Sequence, residues 1–198
     1  MNWFRRGKDE AWRQLSEEIG AEFFAGGFWE GSYVQHHVRS WTITLDFDNG
    51  AGTESGPYTR MRAPFVNPDH FRFRIWPRNF LSELVRRLLR NQDIATGDPA
   101  FDAAFVVQGN DDSKVRDLFA SPEIRRMSLA LHNLSLTVID RRWVARRFPD
   151  DVDVLVYQEA GLVEDLARLE ALFALFATVL ERLCQVGVAL RDRPEVNP

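Results

Sequence analysis

The segment Trp41–Asp48, WTITLDFD, alternates apolar and polar residues over its whole length. Successive side chains of a β-strand point to opposite faces of a sheet. One face of this segment is therefore apolar, and the other carries threonine and aspartate. The pattern predicts a strand that buries one face. The residues just before it, from Tyr33, are apolar at the other parity, which predicts a bulge or bend near Arg39 and Ser40.

Further strands and helices are predicted on both sides of this segment. An aromatic stretch interrupted by two glycines, 22–30, predicts a short strand pair. The three segments 134–139, 143–148 and 152–157 predict a three-strand meander. Apolar alternation or short apolar runs predict strands at 58–65, 71–76, 101–108, 134–139, 143–148 and 152–157. Helical spacing predicts helices at 9–19, at 79–90, from Asp111 or Asp112 to Phe119, from Ser121 onward and at 162–186. Asp9 is the predicted cap of the first helix.

This order of elements predicts an α+β fold with an antiparallel sheet, helices packed on one face and a long C-terminal core helix. Short strands joined by tight loops favour antiparallel pairing, because parallel pairing needs long crossovers. A chain of 198 residues is long enough to bury a sizeable core. We predict a tail at 1–8, a single domain at 9–190 and a frayed tail at 191–198.

Composition excludes several classes of protein. Cys184 is the single cysteine, so an intramolecular disulfide and a cysteine-based zinc finger are excluded. We find neither a secretory signal nor an apolar run of membrane-spanning length, and we expect a soluble, cytoplasmic protein. The formal net charge of -4 provides no global basic field for nucleic acid.

No complete catalytic, cofactor or metal motif is present, so we predict no cofactor and no metal site and lean against an enzyme. The glycine-rich loop 50–56 precedes a strand and not a helix, which excludes a dinucleotide fingerprint. Asp93, Asp98 and Asp102 form the one carboxylate cluster that could perform acid-base chemistry. Aspartate also caps helices and stabilises turns, and no nucleophile or histidine accompanies these three.

The main candidate site consists of four arginines. Arg60 and Arg62 alternate with apolar residues in one predicted strand, and Arg72 and Arg74 do so in the next. If these two strands pair, four guanidinium groups project from one face, with neighbours in a strand roughly 7 Å apart. Such a face would bind phosphate or carboxylate groups. If acids such as Asp46 lie beside these arginines, the acids neutralise the arginine face and it is not a binding site. The leading hypothesis is a non-catalytic binding or scaffold domain that recognises a protein partner or an anionic group.

A second candidate site lies in the stretch 141–148, RRWVARRF. Arg141, Arg142, Arg146 and Arg147 are interleaved with aromatic residues, as in surfaces that bind nucleic acid or anionic lipid. A solvated hairpin tip would show the same pattern. This alternative, like the enzyme alternative, stays open at the level of sequence.

Three segments resemble a family of uncharacterised bacterial proteins classed as a domain of unknown function. They are the strand 58–65, YTRMRAPF, the stretch 96–111, TGDPAFDAAFVVQGND, and the helix 114–119, KVRDLF. The resemblance extends over most of residues 12 to 190. It implies a bacterial source and a single α+β unit, and it implies no activity. Any membrane association would then be peripheral.

Overall fold

The strand predicted from alternation is present, and it belongs to a hairpin. In the computed structural model, Trp41–Asp48 pairs antiparallel with Tyr33–Val38, and Val38 lies opposite Trp41. Arg39 and Ser40 are therefore a two-residue turn, and Arg39 adopts the left-handed conformation (φ 55°) that such turns require. The expected bulge is replaced by this turn, which explains why the apolar parity changes there.

The structure describes residues 3–26, 31–50, 56–80, 93–140 and 149–194. Within these ranges the strands are β1 (Glu22–Phe24), β2 (Tyr33–Val38), β3 (Trp41–Asp48), β4 (Tyr58–Val66), β5 (Phe73–Pro77), β6 (Phe105–Gly109), β7 (Leu136–Asp140) and β8 (Val152–Ala160). The helices are α1 (Trp3–Ile19), α2 (Pro99–Ala104), α3 (Asp112–Phe119), α4 (Pro122–Ala130) and α5 (Leu166–Gln185), with a 3-10 turn at Arg78–Phe80.

The eight described strands form one antiparallel sheet with the order β1-β2-β3-β4-β8-β7-β5-β6. One face, which we call the inner face, carries Ile43, Met61, Ile75 and Leu155 against the helices. The long helix α5 contributes eight buried residues to this core. These observations confirm the predicted α+β class, the antiparallel sheet, the helices on one face and the long C-terminal core helix. No helix in the described ranges combines the length and apolarity that a membrane crossing requires.

Helix α1 begins earlier than its sequence pattern indicated. It starts at Trp3, so Asp9 lies inside it and is not its cap. The Asp9 carboxylate instead accepts a hydrogen bond from the Ser32 hydroxyl, which fastens α1 to the chain entering β2. The side chain of Lys8 is buried, and its ammonium group lies 4.7 Å from the centre of the Trp12 ring. The helical spacing of apolar residues predicted only the part of α1 from Asp9 to Ile19.

The predicted strand 101–108 is wrong in its first half. Asp98 caps α2, Pro99 occupies its first turn, and β6 begins only at Phe105. An aspartate followed by proline is a helix-start signal, and it outweighs the apolar run after it. The predicted helix 79–90 lies outside the described residues beyond Phe80, and the predicted strand 143–148 lies outside them altogether. The predicted meander is also wrong in its order, because β7 pairs directly with β8.

The described residues that follow α5 contact the domain through Leu190 and Arg191. The Leu190 amide donates to the carbonyl of Val66 at 3.1 Å, and the Ser40 hydroxyl donates to the carbonyl of Arg191 at 2.6 Å. The Arg191 guanidinium also pairs with Glu181 of α5. The segment after α5 therefore connects that helix to β4 and to the β2–β3 turn.

Candidate functional site: the outer face of the sheet

The order of the strands separates the two arginine-bearing strands. β8 and β7 lie between β4 and β5, so the expected pairing of those two strands is wrong. Register nevertheless places the side chains of Arg62 and Arg74 in one row across the sheet, through Val156 and Thr137. Three strand steps separate them, which corresponds to about 14 Å. Both arginines thus share the face opposite the helices, which we call the outer face, without forming one cationic cluster.

The centre of the outer face is buried. Val154 and Val156 of β8 are 1% and 3% exposed, and Val106 of β6 is 1% exposed, although none of them belongs to the inner-face core. The valines alternate along β8 with Leu155 and Tyr157 of the inner face, so both faces of this strand are apolar. The outer-face arginines therefore lie beside a buried strip and not on an open cationic surface.

Arg60 and Arg62 share a single carboxylate, that of Asp46 in β3. Nε of Arg60 donates to Oδ1 of Asp46 at 2.9 Å, Nη2 of Arg60 lies 3.3 Å from Oδ2, and Arg62 also pairs with Oδ2. We call these three residues the Asp46 cluster. Burial lowers the pKa of Arg62, and the attraction of Asp46 opposes that effect. Nε of Arg62 is buried and has no hydrogen-bond partner within the described residues.

Asp48 extends the same group of residues toward the end of β3. It accepts hydrogen bonds from the Gly50 amide at 2.9 Å and from the Tyr58 hydroxyl at 3.0 Å. The Gly50 amide holds the pKa of Asp48 below its ordinary value, and the Tyr58 hydroxyl and the two arginines of the Asp46 cluster act in the same direction. With Asp48 counted, two carboxylates balance two guanidinium groups in this region.

Arg72 precedes β5 and has a different environment. Its guanidinium lies 3.7 Å from Oδ1 of Asp153, a carboxylate that is only 1% exposed. The side-chain amide of Asn67 donates to Asp153 at 2.8 Å, and Nδ1 of His70 lies 3.5 Å from it. The Arg72 amide also donates to the side chain of Asn110 at 2.7 Å. Arg72 therefore belongs to a group of polar residues that surround the buried Asp153 carboxylate.

Arg74 differs from the other three predicted arginines. It is exposed, and its guanidinium carbon lies 5.0 Å from the centre of the Trp76 ring, two residues further along β5. No carboxylate of the described residues lies within ion-pairing distance of it. We call these two residues the Arg74–Trp76 pair. Trp76 was not predicted as a site residue, although alternation along β5 places it on the same face as Arg74.

The three aspartates of the enzyme alternative are each engaged in local structure. Asp93 accepts a hydrogen bond from the Val107 amide at 3.0 Å and pairs with Arg78. Asp98 caps α2. Asp102 accepts hydrogen bonds from the amide and hydroxyl of Thr96, at 3.0 and 2.7 Å. Asp98 and Asp102 therefore have the capping and turn roles expected of aspartate, and Asp93 joins β6 to Arg78.

No group of three potential metal ligands is brought together within the described ranges. The secondary candidates Arg141, Arg142, Arg146 and Arg147 lie outside the described residues. A polar network that the sequence analysis missed joins Tyr157 and Arg168 to Glu159, with Nη2 of Arg168 2.7 Å from the Glu159 carboxylate. Burial raises the pKa of Tyr157, which keeps its phenol protonated. This network connects β8 to the first turn of α5.

Comparison with known proteins identifies the fold but not the family. No protein-family model and no curated protein matches the chain. The crystal structure of the mycobacterial trehalose monomycolate transport factor A, TtfA, is similar in fold, with a TM-score of 0.53. The similarity covers 90% of this chain and 95% of that one at 10% sequence identity. The structural similarity shows a shared fold. At so low an identity it carries no information about individual site residues.

Proposed function

We propose that this chain is a non-catalytic binding domain that recognises a protein partner through the Arg74–Trp76 pair. The observation that carries the proposal is the exposed guanidinium of Arg74, held 5.0 Å from the Trp76 ring with no carboxylate of the described residues beside it. Arginine and tryptophan are the residue types most enriched among the dominant contacts of protein interfaces. Stacking on the ring restricts the guanidinium and leaves its donors able to bind a carboxylate of the partner.

The other three predicted arginines are less available to a partner, because each lies beside a carboxylate of the chain. Asp46 already binds Arg60 and Arg62, and a ligand would have to compete with that carboxylate. Arg72 lies beside the buried Asp153. We therefore assign these three to support of the sheet, with a secondary binding role at most for the Asp46 cluster. A cytoplasmic location and the absence of catalysis belong to the same proposal. The protein of similar fold is named a transport factor, and a binding role for this chain is compatible with that name.

Site-specific photo-crosslinking tests this function. A benzophenone amino acid replaces Trp76, which keeps an aromatic ring at the site, and the source cells are irradiated. We expect a discrete crosslinked protein that disappears in the Arg74→Ser background. The matched control is Arg126→Ser, because Arg126 is an exposed arginine of α4 that makes no ion pair with the described residues. Thermal unfolding of each variant establishes that its fold is retained.

Two results would overturn the proposal. One is a crosslinked product that persists unchanged in Arg74→Ser. The other is the same set of products when the benzophenone stands at position 126. Vesicles with anionic headgroups and single-stranded DNA serve as additional probes. Binding to either probe with a log–log salt slope of about -3 would favour the alternative of anionic lipid or nucleic acid.

A further inference from the structure

His36 is a half-buried titratable residue at the junction of three elements. Its side chain projects from β2 to the inner face, where register places it opposite Ile43 of β3. Its ring meets the ring of Phe173 in α5 edge-on, with centres 5.9 Å apart and planes at 82°. The backbone of Gly20, where α1 ends, also contacts the ring. His36 thus contacts both the long core helix and the connection from α1 to β1.

The described residues around the ring place no hydrogen-bond acceptor at the nitrogen that a second proton would occupy. Nδ1 of His36 is buried and has no hydrogen-bond partner within the described residues. Trp41 lies diagonal to it on the same face, and the indole of Trp41 can only donate a hydrogen bond. A protonated imidazole carries two N–H donors. One of them would therefore remain unsatisfied, next to an aromatic ring and the core.

Charged groups around His36 do not compensate for this burial. Burial lowers the pKa of His36, the neighbouring His37 lowers it further, and only the Gly20 backbone favours the charged ring. Glu18 in α1, Glu22 in β1 and Glu170 in α5 are the acidic residues nearest along the chain to its contacts, and none is among the groups that shift the pKa of His36. The neutral ring is therefore the form that fits the folded protein.

We propose that His36 is an acid-sensitive joint, whose protonation loosens the segment 20–24 from β2 and β2 from α5. The segment contains β1, a three-residue strand at the end of the sheet. Its release would expose the backbone of β2 as a new sheet edge, which can pair with another strand. This inference does not depend on the Arg74–Trp76 pair, which lies on the other face at the far side of the sheet.

The direction of the pH effect follows from linkage. The pKa of His36 in the folded state lies below its value of 6.5 in the unfolded chain. The unfolded or locally opened state then binds a proton more readily, so its population grows as the pH falls below that value.

Hydrogen exchange at pH 7.5 and pH 5, corrected for the intrinsic pH dependence of amide exchange, tests the joint on the whole chain. We expect protection of residues 20–24 and 33–38 to fall at pH 5 in the wild type. It should fall by a smaller amount in His37→Gln, because the loss of His37 raises the pKa of His36 without removing its titration. His36→Gln keeps a polar side chain that does not titrate, and it should lose this response. His37 is the matched control because it is the adjacent histidine and points to the opposite, exposed face.

The proposal is wrong if His36→Gln retains the full acid response, or if protection falls equally in β8 at the centre of the sheet. Titration of the imidazole resonances by NMR is an independent measurement in the unmodified protein. A midpoint for His36 at or above 6.5 would overturn the proposal even if the variant fails to fold.

Discussion

Arg60 and Arg62 of β4 and Arg74 of β5 come from the same sequence pattern, but their surroundings in the structure differ. Arg60 and Arg62 in β4 lie next to β3, whose outward aspartate binds both of them. Arg74 in β5 lies next to β7 and β6, which place Thr137 and Gln108 in its row. The β4 arginines therefore form half-buried ion pairs, and Arg74 stays exposed on Trp76. The neighbouring strands, and not the arginine pattern itself, decide whether the charge is available to a ligand.

Removal of Asp46 should produce the largest effect, because it leaves two neighbouring guanidinium groups without their shared carboxylate. We expect Asp46→Ala to lower the free energy of unfolding by about 2–4 kcal/mol, since breaking a partly buried ion pair strands the remaining charge. Urea denaturation measures this change. Asp117→Ala is the control, because Asp117 is exposed on α3, and it should stay within about 0.5 kcal/mol of the wild type. Equal losses in the two variants would contradict the distinction between the regions.

A double-mutant cycle between Asp46 and Arg62 sharpens the comparison. We expect a coupling energy of about 1–2 kcal/mol, because burial reduces the solvent screening of this pair. The exposed pair Asp112 and Arg116 of α3 is the reference, and it should couple by about 0.3–0.5 kcal/mol. A coupling at Asp46 no larger than that reference would mean that the Asp46 cluster is an ordinary surface ion pair.

Acid should affect the β3–β4 region and spare the Arg74–Trp76 pair. The pKa of Asp48 is lowered in the folded protein, so its stabilising contribution is present at neutral pH and is lost as the pH falls through its folded-state pKa. Because Asp48 is solvent-accessible, this contribution should be below about 1 kcal/mol. Urea midpoints measured from pH 5 to pH 3 should fall less steeply in Asp48→Asn than in the wild type. Arg74→Ser should retain the wild-type slope, and a reduced slope there would break the comparison.

The smallest effect on stability is expected at Arg74. Its contact with the Trp76 ring is exposed, so Arg74→Ser should lower the free energy of unfolding by about 0.5 kcal/mol or less. Loss of the crosslinked partner without loss of stability is the result that would separate a binding residue from a structural one. A loss of more than about 2 kcal/mol, by the same urea assay, would place Arg74 with the structural arginines.

Periodicity predicted the strands of the sheet well, and it predicted the faces on which their side chains lie. Arg62 and Arg74 do share a face, as the alternation in 58–65 and 71–76 indicated. Helix starts were less predictable. The cap at Asp98 was hidden by the apolar run after it, and α1 begins at Trp3, before the residues whose helical spacing predicted it.

The candidate site could be predicted only in part, for a specific reason. Asp46 could be predicted as a neutralising residue, since β3 and β4 are consecutive strands and their pairing brings it beside Arg60. The buried Asp153, the partner of Arg72, was not visible, because it lies about eighty residues further along the chain. Trp76 was overlooked although its spacing from Arg74 was available. That omission was an error of interpretation and not a limit of the sequence.

The amino-acid pattern alone determined the class of fold, the inner and outer sides of each strand and the lack of a cysteine framework, because these depend on residue type and local spacing. Tertiary structure alone decided that β8 and β7 stand between the arginine strands, that valines fill the middle of the outer face, and that Arg74 has no acidic neighbour among the described residues. Strand neighbours are chosen by the packing of the whole core. Segments that are far apart in the chain can pair in the sheet, and the local periodicity of residues does not show which strands become neighbours.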